Sequence, residues 1–216
     1  MFQVRIHGRG GQGVVTAAEM LSIAAFLEGR HAQAFPTFGS ERTGAPVVAF
    51  CRIDDKEIRV REPITEPDAL IIQDPTLLHQ VAVFSGLSKE GYVLINSTRD
   101  FAELGLDDLA ASVGVAPRHP RQGADSHTVR RDRLMTVPAT ELALRHVGRP
   151  VPNAALLGGF CALSGLVSLE SVHAAIRDKF TGDIAAGNIA AASEAYEYVR
   201  REMGQEMKET AHAEAN

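Results

Sequence analysis

The fold of this chain is decided by its opening stretch, Phe2-Gln-Val-Arg-Ile-His-Gly-Arg-Gly-Gly-Gln-Gly-Val-Val-Thr-Ala-Ala-Glu-Met-Leu21. Phe2, Val4 and Ile6 alternate with polar residues, which is the period-two pattern of a short β-strand. After Gly13 the apolar residues recur at helical spacing through good helix formers. The order strand, glycine turn and helix is therefore predicted here.

The glycine turn (residues 8–13) has the chemistry of an anion site. Gly8, Gly10 and Gly13 fall at GxGxxG spacing, and Gly11 lies between them. Glycine permits positive φ and lets a ligand approach the backbone closely. The start of the following helix presents unpaired N–H groups and the positive end of the helix dipole, which together favour a phosphate.

The turn alone leaves its ligand open, and a tight turn with nothing bound is one interpretation. A dinucleotide site needs an Asp or Glu near the end of the second strand, about 20 residues on. The predicted strand 30–35 runs into Pro36 instead, with Glu28 before it and Glu41 well beyond it. A P-loop needs Gly-Lys-Ser/Thr, which does not follow these glycines. A phosphorylated ligand that is not an obvious nicotinamide dinucleotide fits best.

Composition limits the class of protein. At 216 residues the chain is predicted to form one α/β domain over residues 1–204, followed by a flexible tail, 205–216. A net charge of −5 gives no footprint for nucleic acid, and neither a membrane span nor a signal h-region is apparent, so we expect a cytoplasmic protein. Two cysteines cannot hold a four-thiolate cluster, so any iron–sulfur chemistry must come from another chain.

Strands and helices are predicted to alternate, which favours a doubly wound, mostly parallel sheet with flanking helices. The predicted strands are 2–6, 30–35, a hairpin of 47–53 with 57–60, 68–74, 91–96 and 134–137. The predicted helices are 14–25, 76–87, 101–112, 139–147, one that begins at Asn153, one capped by Ser168, and 188–203. The helix from Asn153 carries no charge through Leu163, so the sheet or another subunit must cover it.

A basic loop spans about 114–133. Its arginines outnumber its aspartates between positions 118 and 133 by five to two in an otherwise acidic chain. It is predicted to be either a solvated loop or an arm that docks on an acidic partner surface or a phosphate.

No convincing catalytic set is found. Ser40 lacks a Gly-x-Ser-x-Gly elbow, and the histidines are scattered without metal-ligand spacing, so neither catalytic nor metal residues are assigned. The neighbours Glu41 and Arg42 are predicted to form a local ion pair, or to contact a ligand or another subunit. This pattern favours a subunit over a complete enzyme.

Three blocks together resemble the gamma subunit of the 2-oxoacid:ferredoxin oxidoreductases. They are the glycine turn with Thr16–Leu21, the loop Ala34–Ala45, and Asn153–Gly158, and they occur in the order of that family. The resemblance implies a Rossmann-like α/β domain without clusters, inside a complex that oxidatively decarboxylates a 2-oxoacid to an acyl-CoA. It further implies thiamine diphosphate with magnesium on alpha and beta subunits. [4Fe–4S] clusters on a ferredoxin-like delta subunit would pass electrons to ferredoxin or another acceptor.

The resemblance also assigns site residues. Coenzyme A would lie against the glycine turn and the first helical turn, namely Gly8, Arg9, Gly10, Gly11, Gln12, Gly13 and Thr16. A second group would face the interior of the complex or a subunit boundary, namely Phe38, Ser40, Glu41, Arg42, Thr43 and Asn153. The 2-oxoacid stays open among pyruvate, branched-chain, 2-oxoglutarate and aryl-glyoxylate types, as does the acceptor. The rival hypotheses are a stand-alone NAD-binding oxidoreductase and a purely structural adaptor.

Overall fold

A computed structural model describes residues 1–37, 43–106, 110–111 and 129–214, with side chains over 1–37, 43–106 and 132–204. The strands are β1 (Phe2–Arg9), β2 (His31–Pro36), β3 (Pro46–Asp54), β4 (Ala69–Ile72), β5 (Tyr92–Asn96), β6 (Ala110–Ala111), β7 (Val129–Arg130) and β8 (Leu134–Val137). The helices are α1 (Val14–Leu27), α2 (Ala139–Val147), α3 (Asn153–Ser164), α4 (Leu169–Lys179) and α5 (Gly182–Glu214), with short 3-10 helices at Pro75–His79 and Arg131–Arg133.

The main sheet has six strands in the order β2-β3-β1-β4-β5-β8. Strands β1, β4, β5 and β8 are parallel neighbours. Strand β3 lies antiparallel between β1 and β2, so β2 runs in the same direction as β1. The predicted α/β fold with a mostly parallel sheet and flanking helices is confirmed.

Both faces of the sheet are buried. All five helices contribute to the core on one face, where Val4, Ile6 and Ile71 of the sheet are fully buried. On the other face Leu70 and Ile72 pack against shorter segments that include the 3-10 helix Pro75–His79. Burial on both faces explains why β4 and β5 are continuous apolar runs, since alternate side chains of each strand pack into different cores.

The predicted hairpin is wrong. Strand β3 pairs with β2 and β1, and residues 57–60 belong to no strand. The reason is that both edges of β3 are already paired, which leaves no place for a further strand. The buried side chain of Arg52 instead donates to the carbonyl oxygens of Val60, at 3.4 Å, and Glu62, at 2.5 Å. A side chain, rather than a strand ladder, therefore holds this segment against β3.

The predicted helix over 76–87 is also wrong beyond His79. Arg5, which is 8% exposed, donates from its guanidinium to the carbonyl oxygens of Val83, at 2.8 Å, and Ser85, at 2.6 Å. Those carbonyl oxygens accept hydrogen bonds from a buried guanidinium and not from the N–H groups of a helix. The predicted helix at 101–112 is replaced by turns over 101–105, while 107–109 and 112 lie outside the described residues.

The C-terminal helices follow the sequence more closely. Ser168 caps α4 by accepting from the N–H of Ser171 at 3.1 Å, and α2 has its predicted bounds. Helix α5 begins at Gly182, before the predicted start at 188, and it continues to Glu214. The domain boundary at 204 and a flexible tail remain predictions. Along the described part of the chain, every helix is too short or too polar to cross a membrane.

The uncharged helix α3 is covered by its own chain, through the sheet and α5. The two helices approach so closely that a Cβ atom at Gly158 would stand 2.0 Å from the carbonyl oxygen of Ala192. We expect Gly158→Ala to lower the free energy of unfolding by about 2 kcal/mol, because the helices must separate to admit the methyl group. Urea denaturation measures the loss.

The same substitution has a matched control on α5. Gly204 is exposed and has nothing within 4 Å of its Cβ position. Gly204→Ala should stabilise the chain slightly, by up to about 1 kcal/mol, through helix propensity alone. Equal effects at both positions would contradict the close approach of α3 and α5.

Candidate functional site

The glycine turn joins the carboxyl end of β1 to the start of α1. Gly11 has φ 95° and Gly13 has φ 72°, both in the left-handed region that favours glycine. The first helical bond in α1 runs from the N–H of Ala17 to the carbonyl oxygen of Gly13, at 2.9 Å. The N–H groups of Val14, Val15 and Thr16 therefore have no acceptor inside the helix, and Gly13 offers no side-chain cap.

The residues that carry these N–H groups line an open cleft of about 460 Å³. The cleft is lined by Arg9, Gly10, Gly11, Gly13, Val14, Val15, Thr16, Thr43 and Val47. The helix dipole and N–H groups that lack a helical acceptor make this wall electropositive, so the cleft suits a phosphate or another anion. Among the predicted ligand residues, the structure brings Arg9, Gly10, Gly11, Gly13 and Thr16 to the cleft.

Opposite the glycine turn lies the strap, which we define as residues 43–45. The N–H of Gly10 donates to the carbonyl oxygen of Ala45 at 2.9 Å, and the N–H of Gly44 donates to that of Gly10 at 3.0 Å. Thr43 forms an isolated bridge with Gly10. The strap is thus fixed to the turn by backbone hydrogen bonds. Thr43 lines the cleft, while its predicted position toward the interior of the complex or a subunit boundary remains a prediction.

The side chains of Arg9 and Gln12 are hydrogen-bonded to Asp74, which lies two residues beyond the end of β4. Arg9 Nε donates to Asp74 Oδ2 at 3.1 Å, and Gln12 Nε2 donates to the same oxygen at 2.9 Å. Burial alone would raise the pKa of Asp74. Hydrogen bonds from Thr76 and Gln12, together with the Arg9 charge, outweigh it and hold the pKa below its usual value. Asp74 stays ionised.

Gly8 has a packing role. A Cβ atom there would stand 2.6 Å from Val14 Cγ2 and 3.1 Å from Gln73 Cβ, so glycine allows α1 to begin directly over the sheet. Gly8 is not part of the cleft lining. Its place in the GxGxxG spacing therefore reflects close helix–sheet packing.

Asn153 begins α3 beside the glycine turn. It is 2% exposed, and its Nδ2 donates to the carbonyl oxygen of Gly13 at 3.4 Å. A Cβ atom at Gly13 would come within 2.5 Å of that amide nitrogen. The starts of α1 and α3 are therefore in direct contact. A role of Asn153 at a subunit boundary remains a prediction.

Other predicted features are placed only in part. Phe38, Ser40, Glu41 and Arg42 lie outside the described residues, as does most of the basic loop. Asp74 was missed as a site residue by sequence reasoning, although an aspartate at the carboxyl end of a buried strand is a usable signal, because parallel strands place such residues at the ligand edge of a sheet. The two cysteines, Cys51 and Cys161, are buried and free, and burial raises the pKa of each thiol to about 12.

Across the described residues, no cluster of His, Cys, Asp and Glu could hold a metal.

Comparison with known sequences gives matches over nearly the whole chain. The family model described as pyruvate ferredoxin/flavodoxin oxidoreductase matches residues 3–198. The gamma subunit common to the pyruvate and ketoisovalerate oxidoreductases of Pyrococcus furiosus is 46% identical over 197 residues, covering 91% of this chain and 96% of the relative. Pyruvate synthase subunit PorC of Methanocaldococcus jannaschii is 44% identical over 204 residues, covering 94% of this chain and 100% of its own length.

Solved structures share the fold. Pyruvate oxidoreductase subunit PORC from Thermotoga maritima superposes with a TM-score of 0.70 at 32% identity, covering 91% of this chain and 95% of that one. The 2-oxoglutarate:ferredoxin oxidoreductase of Magnetococcus marinus, solved with 2-oxoglutarate, coenzyme A and succinyl-CoA, has a TM-score of 0.66 at 16% identity. The match covers 93% of this chain and 31% of that one, and it shows the fold alone.

Proposed function

The chain belongs to the pyruvate ferredoxin/flavodoxin oxidoreductase family as a gamma subunit, and from this premise we propose that its glycine turn binds the phosphates of coenzyme A. The resemblance stated from the three sequence blocks is confirmed at the level of the family. The observation that carries the proposal is the cleft at the start of α1, where the N–H groups of Val14, Val15 and Thr16 lack helical acceptors.

The proposed complex oxidatively decarboxylates a 2-oxoacid and transfers the acyl group to coenzyme A. Thiamine diphosphate with magnesium would stabilise the decarboxylated carbon on alpha and beta subunits. [4Fe–4S] clusters on a ferredoxin-like delta subunit would carry the electrons to ferredoxin or another acceptor. This chain would hold the phosphorylated end of coenzyme A and help to assemble a cytoplasmic complex, without a complete active site of its own.

Two observations support coenzyme A over a nicotinamide dinucleotide. In a dinucleotide fold the acid that binds the ribose ends the strand next to β1, but here antiparallel β3 separates β2 from β1. The end of β2 is therefore displaced by one strand from the glycine turn. The Magnetococcus enzyme, which contains the same fold, was solved with coenzyme A.

The test places a negative charge in the cleft without weakening α1. Thr16 lies in the first turn of α1 and lines the cleft. A glutamate there interacts favourably with the helix dipole but repels a phosphate. In the assembled complex we expect Thr16→Glu to raise the apparent KM for coenzyme A about tenfold, corresponding to about 1.4 kcal/mol. Steady-state kinetics with varied coenzyme A measures this.

Thr16→Gln is the matched control, because it has the size of glutamate without the charge. The difference between the two variants isolates the electrostatic effect, and the apparent KM for the 2-oxoacid should be the same in both. Equal KM values for coenzyme A in the two variants would remove the proposed role and favour the structural adaptor. Tight NAD binding by the purified chain would favour the stand-alone oxidoreductase.

A further inference from the structure

We propose that Asp74 is a positioning residue that sets the shape of the cleft by holding the glycine turn and the strap through Arg9 and Gln12. The inference rests on the proposed function, since the ligand whose binding it controls is coenzyme A. Asp74 does not line the cleft. Its effect on the ligand must therefore pass through the residues that it holds.

Each carboxylate oxygen of Asp74 has a separate task. Oδ1 accepts from the backbone N–H of Thr76 at 3.0 Å and from the Thr76 hydroxyl, and so caps the start of the 3-10 helix. Oδ2 accepts from Arg9 Nε and from Gln12 Nε2. All four bonds need an acceptor, and an ionised carboxylate is the side chain that offers acceptors on both atoms.

From Oδ2 the network reaches both sides of the cleft. Gln12 Oε1 accepts from the backbone N–H of Arg9 at 2.8 Å, which closes the glycine turn on itself. Arg9 Nη1 donates to the carbonyl oxygen of Gly44 in the strap at 3.0 Å. One carboxylate thus fixes the turn through Gln12 and the strap through Arg9.

The network engages four of the five N–H donors of the Arg9 guanidinium. Arg9 Nη2 donates to Thr76 Oγ1 and to Gln80 Oε1, each at 2.8 Å, in addition to the bonds with Asp74 and Gly44. The guanidinium therefore acts as a brace between the turn, the strap and the 3-10 helix. The proposed anion would then be bound chiefly by the backbone N–H groups at the start of α1, whose direction depends on the turn geometry.

The test is Asp74→Asn in the full chain and in the assembled complex. An asparagine has an NH2 group where one oxygen was, so it must face donors either from Thr76 or from Arg9 and Gln12. The matched control is Asp68→Asn at the opposite end of the same strand, where Asp68 Oδ2 accepts from the N–H of Gln3 at 2.8 Å. Both variants lose one charged acceptor, but only the first is joined to the cleft.

Hydrogen exchange gives a local readout. The amides of Gly10, Gln12 and Gly44 are hydrogen-bonded within the turn and strap. We expect Asp74→Asn to speed exchange of these amides about tenfold while the amides of α3 keep their protection. Asp68→Asn should leave the turn and strap amides as they are in the unaltered chain.

Kinetics gives the functional readout. We expect Asp74→Asn to raise the apparent KM for coenzyme A about tenfold with kcat at saturating coenzyme A nearly unchanged, as loss of bonds to a charged acceptor implies. On an Arg9→Gln background the same substitution should raise KM only about threefold, because Asp74 acts partly through Arg9. Full additivity of the two substitutions would overturn this route.

The two proposals fail differently. If Asp74→Asn speeds exchange in the turn and strap no more than Asp68→Asn does, the positioning role is overturned, whatever the ligand. If exchange responds as expected but neither Asp74→Asn nor Thr16→Glu changes the KM for coenzyme A, the positioning role stands and the coenzyme A assignment is overturned.

Discussion

Replacing Gly13 with alanine should lower the free energy of unfolding by about 3 kcal/mol, because two separate costs meet at this residue. The backbone has φ 72°, a left-handed conformation that costs an alanine about 1 kcal/mol. The new methyl group would also stand 2.5 Å from Asn153 Nδ2 and 3.3 Å from Val151 Cγ1, and overpacking of this kind costs about 2 kcal/mol. Urea denaturation of the full chain measures the sum.

Gly29 allows the two costs to be separated. Its φ is 79°, but nothing lies within 4 Å of its Cβ position, so Gly29→Ala should cost only about 1 kcal/mol. Asn153→Ala on the Gly13→Ala background should recover about 1 kcal/mol or more, since the amide that the methyl group meets is gone. Similar losses for the alanine variants of Gly13 and Gly29 would show that α1 and α3 do not meet at this point.

The sequence predicted the strand, turn and helix at the start of the chain because this unit is local. Period-two alternation, four closely spaced glycines and a change to helical period all lie within Phe2–Leu27, and the structure reproduces them as β1, the glycine turn and α1. The same holds for Ser168, whose capping bond spans only to Ser171. Patterns of this kind need no information from distant residues.

Two of the errors involve a buried arginine on a strand of the sheet. Both edges of β3 are paired with β1 and β2, so the predicted hairpin partner forms no ladder, and Arg52 holds that segment by the carbonyl oxygens of Val60 and Glu62. Arg5 binds the carbonyl oxygens of Val83 and Ser85, so the predicted helix stops at the 3-10 turn. A charged residue in a strand pattern is predicted to be exposed. Whether Arg5 and Arg52 are buried depends on partners that lie 8 to 80 residues away in sequence.

The candidate site divides in the same way. Glycine spacing located the turn, and the helix start supplied the reason for an anion. The side chains of Arg9 and Gln12 bind Asp74, which is 62 residues from Gln12 in sequence. These hydrogen bonds form only when β1 and β4 lie side by side in the sheet. The positions of Phe38 to Arg42 stay a prediction, because those residues lie outside the described part of the chain.

The stability of the chain should fall by about 3 kcal/mol between pH 6.5 and pH 4 because of His7 alone. His7 is 6% exposed, and its Nε2 accepts from Arg5 Nε at 3.0 Å. Burial first, and then the Arg5 charge, lower the pKa of His7 to about 4 from a usual value of 6.5. The folded-state pKa is thus the depressed one, so below pH 6.5 the unfolded chain binds a proton that the folded chain excludes until about pH 4. The contribution of His7 to the free energy of unfolding is therefore complete above pH 6.5 and is lost as the pH falls from 6.5 to about 4.

His7→Gln is the variant that checks this, since a glutamine oxygen can still accept from Arg5 Nε but does not titrate in this range. The unfolding free energy of the variant should fall less steeply than that of the unaltered chain between pH 6.5 and pH 4, and the difference in slope measures His7. His79→Gln is the matched control for the substitution itself, because His79 is exposed on the 3-10 helix. A parallel pH dependence for the His7 variant and the unaltered chain would mean that His7 is protonated at the same pH in the folded and unfolded states, contrary to its burial beside Arg5.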